Sequence, residues 1–175
     1  NTYSFFVTYA NLDGFDPSQP CVQDALRKSD QWILSKMNVF IDSAQKHYES
    51  YQVFRLMKEA AELLDNLSNW YVRRNRRRFW KSENDGDKTA AYYTLYSVLM
   101  NFVKVMAPVI PFLCEKIYSN LYLSGNKDAN DSVHLCSFPI VDDNLTSADV
   151  LNEVDTMISI VSLGRSARNK ANIKI

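Results

Sequence analysis

Apolar residues recur every three or four positions along most of this chain, which is the spacing of one helix face. The first clear stretch predicts an amphipathic helix from about Asp30 to Tyr48, and its apolar positions are Ile33, Met37, Phe40, Ile41, Ala44 and Tyr48. The same spacing predicts a longer helix from about Gln52 to Trp80, which ends at a polar run before Gly86.

A third predicted helix, Lys88 to Ala107, is apolar nearly all round, and Lys104 is its only interior charge. A helix with this pattern is usually buried on all sides. We therefore expect it to be the most buried helix of the fold, with Tyr96, Leu99 and Val103 largely inaccessible.

Further elements complete the predicted outline. Pro111 suits the first position of a fourth helix, and Ser147 is the expected cap of a last helix. Asn11 to Pro20 and Ser124 to Asp131 are predicted connections, whereas Val133 to Pro139 alternates but is too short to seed a sheet. Four or five helices joined by short connections predict an all-α, up-and-down helical bundle.

Composition changes this outline little. The 175 residues are 46% hydrophobic and 23% charged, as in an ordinary globular domain. The apolar stretches are too interrupted for a membrane span, and no signal peptide is recognisable. Basic and acidic residues both number 20, so a nucleic-acid partner can be indicated only by where the charges lie.

The cysteines and histidines argue against a disulfide framework or a metal site. Cys21, Cys114 and Cys136 are odd in number and far apart, which favours reduced thiols in an intracellular compartment. His47 and His134 stand alone, without ligand spacing. We also find no glycine-rich phosphate loop, nucleophile elbow or convergent carboxylate pair. We therefore expect no catalytic residue, metal ligand or cofactor in this chain.

One segment departs from the ordinary pattern, because five arginines and a lysine lie between Arg73 and Lys81 with no acidic residue among them. On a helix, none of these arginines has Asp or Glu three or four positions away, so local ion pairs cannot offset their repulsion. The planar fork of arginine suits phosphate, and Trp70, Tyr71 and Trp80 offer surfaces for stacking against bases.

If this helix turns regularly by about 100° per residue, its apolar face runs into its basic end. The stripe Leu56, Ala60, Leu63, Leu67 and Trp70 then continues into Arg74, Arg77, Arg78 and Lys81. The face would have to leave the core there and meet water, another domain or an anion. We predict an RNA-binding surface anchored to the core by Trp70 and Tyr71 and formed by Arg73, Arg74, Arg77, Arg78 and Lys81.

Two other interpretations of this segment stay open. It could be a solvated helix end whose arginines interact favourably with the helix dipole, or a face that docks another protein domain. A second basic cluster, Arg165, Arg168, Lys170 and Lys174, is weaker evidence, because cations at a helix end are common. Of these residues we add Arg165, Arg168 and Lys170 to the predicted RNA-binding set.

Several segments together resemble the isoleucyl-tRNA synthetases, a family of class I aminoacyl-tRNA synthetases, over nearly the whole chain. The most specific match is Ser68 to Trp80, in which the arginine run lies between two tryptophans. The Pro-x-x-Pro-Phe sequence that begins at Pro108 would also fit valyl or leucyl relatives. The remaining matches are Asp30 to Lys36, Asp87 to Tyr92, Ala107 to Tyr118, Ser132 to Pro139 and Leu163 to Lys174.

The resemblance implies that residues 1–26 are the tail of a catalytic core with a linker, and that residues 27–175 are a helical anticodon-binding domain with a truncated C-terminal boundary. We expect both ends of the chain to be cuts within a longer parent. This domain would bind the anticodon stem and loop of isoleucine tRNA, beside the catalytic and C-terminal domains of the same parent chain.

The implied parent enzyme is cytoplasmic, does not contact a membrane, and joins isoleucine to its tRNA with ATP and Mg. The ATP would be used outside this chain. Two alternatives remain: the corresponding domain of a valyl or leucyl synthetase, and a helical protein-interaction module whose arginines dock another domain.

Overall fold

The computed structural model describes residues 1–18, 25–81, 83, 85–123 and 130–173, most of which are helical and none of which lies in a strand. The all-α prediction is confirmed. The α-helices are α1 (Thr2–Asp13), α2 (Lys28–Glu49), α3 (Val53–Asp65), α4 (Arg73–Trp80), α5 (Gly86–Met106), α6 (Pro111–Tyr118) and α7 (Ala148–Lys170). A π-helical segment, Asn66–Val72, joins α3 to α4, so these three elements form one continuous helix.

Local side chains explain where several helices begin. The Asp85 carboxylate accepts a hydrogen bond from the Lys88 amide and caps α5, and Pro111 occupies the first turn of α6. The Ser147 hydroxyl accepts a hydrogen bond from the Val150 amide, which confirms the predicted cap of α7.

The predicted connection at 11–20 begins later than expected. α1 continues through Asp13, and Gly14 ends it with a left-handed φ of 64° while its amide donates to the Ala10 carbonyl. Such a backbone favours glycine, which has no Cβ to clash. Part of the predicted connection, residues 19–20, lies outside the described residues.

The core is centred on α5, which contacts α1, α2, α4 and α6. Twelve of the 21 residues of α5 are buried, against ten of 22 in α2, so α5 is the more buried of the two long central helices. Leu99 and Val103 are inaccessible as predicted. Tyr96 is only partly buried, because its ring lies beside Phe6 and Phe15 at the edge of an open cavity of about 800 Å³.

The region after α6 is irregular where it is described. Val133–Leu135 forms a 3-10 turn rather than an extended segment, since the Glu115 carboxylate accepts hydrogen bonds from the Ser132 hydroxyl and the Val133 amide. Most of the predicted loop at Ser124 to Asp131, residues 124–129, lies outside the described residues.

The described cysteines carry free thiols. Cys114 is buried, and burial raises its pKa to about 11, so this thiol stays protonated at neutral pH. Cys136 is partly buried, and Cys21 lies outside the described residues. No helix in the described part of the chain is both long and apolar enough to cross a membrane.

Candidate nucleic-acid interface

The π-helical segment changes which residues of the arginine-rich helix face the core. A π turn accommodates one residue more than an α turn, so the helix after it is rotated by about 100°, the turn of one residue. The buried stripe that runs through Leu63 of α3 and Leu67 of the π-helical segment continues one position later than a regular helix would place it. Tyr71 and Asn75 therefore face inward where a regular helix would place Arg74 and Arg77, whereas Arg78, which a regular helix also places on this stripe, stays buried.

Arg78 is the centre of a buried ion pair. Its side chain is 2% exposed and that of Asp30, in the first turn of α2, is 0% exposed. Nη1 of Arg78 donates to Oδ1 of Asp30 over 2.7 Å, and Nη2 donates to Oδ2 over 2.8 Å. The Tyr71 hydroxyl donates to the same carboxylate over 2.7 Å. This paired geometry is the strong form of an arginine–carboxylate contact.

The charges shift the proton affinities of this group in predictable directions. Burial lowers the pKa of Arg78, but the hydrogen bonds and charge of Asp30 raise it by more, so its pKa lies above the usual value. Burial and then the charge of Asp30 raise the pKa of Tyr71 well above its ordinary value. Arg78 therefore stays charged and Tyr71 stays neutral at physiological pH.

Asp87 extends the ion pairs to the surface. Its Oδ1 lies 2.9 Å from Nε of Arg78 and 2.7 Å from Nε of Arg27, while its Oδ2 lies 3.0 Å from Nζ of Lys81. Lys81 also pairs with Asp85 over 3.2 Å. Lys81 is thus partly neutralised, although 39% of its side chain is exposed.

The remaining arginines of α4 are exposed and lie on its outer side. We call Arg73, Arg74, Arg76 and Arg77 the arginine face. Within the described part of the chain, none of these four side chains forms an ion pair with a carboxylate. Such a surface has an uncompensated positive charge and matches a phosphate backbone.

One residue of the second basic cluster, Arg165, lies against the π-helical segment. The Cζ atom of Arg165, in α7, is 5.5 Å from the ring centroid of Trp70. Trp70 itself is partly buried and packs against the core. Arg165 and Lys170 are exposed and Arg168 is partly buried, while Lys174 lies outside the described residues. We call Arg165, Arg168 and Lys170 the α7 basic end.

The structure therefore places the predicted site residues in different environments. Arg73, Arg74 and Arg77 are exposed, and Arg165 lies beside Trp70. Lys81 is exposed but forms ion pairs with two aspartates, and Arg78 is buried in its ion pair with Asp30. Both predicted anchors, Trp70 and Tyr71, pack against the core.

Sequence reasoning left Arg76 out of the predicted site and missed the ion pair that buries Arg78, because it looked for acids only within one turn of the helix. The usable signal was Asp30, an acid in the first turn of α2, directly before the apolar residues Trp32, Ile33 and Leu34. Among the described residues, no group of three or more His, Cys, Asp or Glu side chains is placed to hold a metal ion.

Comparisons with known proteins agree on one kind of domain. A family model described as the anticodon-binding domain of tRNA ligase matches residues 30–175. The chain is 47% identical to an isoleucine–tRNA ligase of Clostridium novyi over 99% of this chain and 17% of that protein. It is 44% identical to an isoleucine–tRNA ligase of Dehalococcoides mccartyi over 100% of this chain and 17% of that protein.

A more distant relative gives the same picture. The chain is 39% identical to isoleucine–tRNA ligase 2 of Bacillus cereus over 100% of this chain and 16% of that protein. The chain thus spans about a sixth of the length of the curated relatives it matches.

Proposed function

The chain belongs to the anticodon-binding domain family of tRNA ligases, and on this premise we propose that it binds the anticodon stem and loop of isoleucine tRNA. The proposed parent protein joins isoleucine to that tRNA with ATP and Mg. This chain would contribute no reacting group. It would hold the tRNA so that the acceptor end reaches an active site elsewhere in the parent, which is catalysis by positioning.

The observation that supports RNA binding most directly is the arginine face. Its four guanidinium groups are exposed and have no carboxylate partner in the described part of the chain. The neighbouring Arg78 does have such partners, so the fold neutralises the inward charge and leaves the outward charges available. Phosphates of an RNA backbone are the simplest complement to charges held in this way.

We also propose that residues 1–26 are the tail of the parent's catalytic core and its linker, and that residues 27–175 are the binding domain. The family match that begins at residue 30 supports this division. α1 nevertheless packs firmly on the bundle: Phe6 and Ala10 are buried in the same core, and Lys88 pairs with Asp13 over 2.7 Å. A tail held in this way would transmit the position of the tRNA to the catalytic core.

The test is the salt dependence of tRNA affinity in the full-length protein. If about four cations meet phosphates, a plot of log affinity against log salt should have a slope of roughly −3 to −4. Arg74→Gln/Arg77→Gln should flatten this slope by about two units, because two phosphate contacts are lost. Arg55→Gln/Lys58→Gln is the matched control, since it removes two exposed charges from α3.

An unchanged slope in Arg74→Gln/Arg77→Gln, with folding intact, would instead favour the docking of another protein domain on the arginine face. Isoleucine, valine and leucine tRNAs should be compared in the same assay. Tighter binding of valine or leucine tRNA than of isoleucine tRNA would contradict the proposed substrate.

A further inference from the structure

The two halves of α7 are held to the bundle very differently. In the first half, Lys28 pairs with Glu153 over 2.7 Å and Lys36 pairs with Asp155 over 2.6 Å. The indole Nε1 of Trp32 donates to Asp155 over 3.0 Å. These three contacts fix the N-terminal half of α7 along α2.

The second half of α7 has little to hold it. Beyond Asp155, no side chain of α7 forms an ion pair or a hydrogen bond with another helix in the described part of the chain. Ile160 and Leu163 are 64% and 70% exposed, and no residue of α7 is fully buried. Among the described residues, the contact of Arg165 with Trp70 is the specific side-chain interaction between this half of α7 and another helix.

Trp70 is well suited to this task. It lies in the π-helical segment, one turn before Arg73 and Arg74, and it packs against the core. A guanidinium over an indole face is favoured electrostatically, because the ring presents negative charge to the cation. The contact thus brings cations from two distant parts of the sequence to one surface.

We propose that Trp70 is a positioning residue that holds Arg165, and with it the α7 basic end, beside the arginine face so that one tRNA backbone meets both. This inference rests on the proposed function. It adds that the two basic clusters act together, and that the link between them is an aromatic ring rather than an ion pair. The free protein therefore carries a preformed surface, which reduces the ordering required on binding.

The experiment is a double-mutant cycle on tRNA affinity in the full-length protein, with Trp70→Leu, Arg165→Gln and the double variant. Because exposed cation–π contacts are weak, we expect a coupling of about two- to five-fold in affinity. Trp70→Phe, which keeps an aromatic face, should retain part of the coupling. Trp80→Leu is the matched control, since Trp80 is an exposed tryptophan of α4 with no such contact to Arg165 among the described residues.

A second measurement, made without RNA, tests the link itself. Amide hydrogen exchange in residues 159–170 should become faster in Trp70→Leu and in Arg165→Gln, and the double variant should add little. Strictly additive effects of Trp70→Leu and Arg165→Gln on tRNA affinity would overturn the proposal, as would unchanged exchange in both single variants. If Arg74→Gln/Arg77→Gln leaves the salt slope unchanged while the exchange result holds, the proposed function fails and the Trp70–Arg165 link stands.

Discussion

Arg77 and Arg78 are adjacent in sequence but have opposite environments. Arg77 is exposed, whereas Arg78 is enclosed with Asp30, Tyr71 and Asn75. A buried charge is tolerated only when it is paired and hydrogen-bonded. Arg78 therefore contributes to the fold through its ion pair with Asp30, whereas Arg77 is available to bind an anionic partner.

Arg78→Met should destabilise the chain by about 3–5 kcal/mol, because Asp30 would be left in the interior without its counter-ion. Arg77→Met should change the free energy of unfolding by no more than about 0.5 kcal/mol. Asp30→Asn/Arg78→Met should lose less than Arg78→Met alone, since no unpaired charge remains. Denaturant unfolding of the 175-residue chain measures all three, and equal losses for Arg77→Met and Arg78→Met would contradict the buried pair.

The ion pairs of Asp87 give stability a defined pH dependence. Burial raises the pKa of Asp87, but its hydrogen bond with Lys81 and the charges of Arg78 and Arg27 lower it by more, so the folded pKa is depressed. A carboxylate whose pKa is lower in the folded state than in the unfolded state stabilises the fold at pH values above its unfolded pKa of about 3.9. This stabilisation is lost as the pH falls through the pKa of the folded state.

The free energy of unfolding of the wild-type chain and of Asp87→Asn should therefore differ most at neutral pH and converge below about pH 4. Glu83→Gln is the control, because it removes a nearby exposed carboxylate that has no ion pair among the described residues. A constant difference between wild type and Asp87→Asn from pH 7 to pH 3 would show that Asp87 does not act through its charge.

At the scale of elements, the π-helical segment determines which residues of the arginine-rich helix face the core and which face solvent. A regular helix would have carried the apolar stripe into Arg74 and Arg77. The extra residue in the π turn places Tyr71 and Asn75 inward and turns Arg74 and Arg77 out to solvent, while Arg78 stays inward, as it would on a regular helix. Arg74, Arg77 and Lys81 are exposed, as expected of a face that leaves the core, but Arg78 stays buried and the helix remains packed on α5 through Phe79.

Deletion of Asn69, an exposed residue of the π segment, should be tolerated. Without it the helix can become α-helical throughout, and Tyr71, Asn75 and Arg78 keep their inward positions. We expect a loss of at most about 1–2 kcal/mol. Deletion of Arg76, an exposed residue of regular α4, should cost about 3–5 kcal/mol, because Arg78 would rotate away from Asp30. Denaturant unfolding of both variants tests this, and a larger loss for the Asn69 deletion would contradict it.

At the scale of the whole molecule, the chain has no net charge but has locally positive surfaces. Basic and acidic residues are equal in number. Several of the acids, however, form ion pairs with Arg27, Arg78, Lys81 and Lys88. The arginine face and the α7 basic end are left positive. Local charge of this kind steers an anionic partner even when the net charge is zero.

The division of labour proposed for the parent protein predicts that the 175-residue chain alone does not activate isoleucine. Isoleucine-dependent exchange of pyrophosphate into ATP should stay at the level of a tag-only control, whereas the full-length protein should show it. Exchange by the chain above that control would mean that its boundaries include an active site that its sequence does not reveal.

The sequence by itself placed the helices from α2 onward, with α3, the π-helical segment and α4 as one long helix, but it did not predict α1. Apolar spacing over Asp30 to Tyr48 and Lys88 to Ala107 gave helices close to their observed bounds, and Ser147 marked the start of α7. These features depend on residues within a few positions of one another, so a local pattern contains them. The resemblance to isoleucyl-tRNA synthetases, carried mainly by Ser68 to Trp80, also agrees with the relatives found.

Only the tertiary structure decided which cations are available. Asp30 lies 48 positions from Arg78, and Trp70 lies 95 positions from Arg165, so neither contact leaves a sign in local spacing. The π turn is equally hidden, because its register depends on which side chains the core of α2 and α5 accepts. Burial and ion pairing are properties of the packed molecule, and they separate Arg78 from the arginines that surround it.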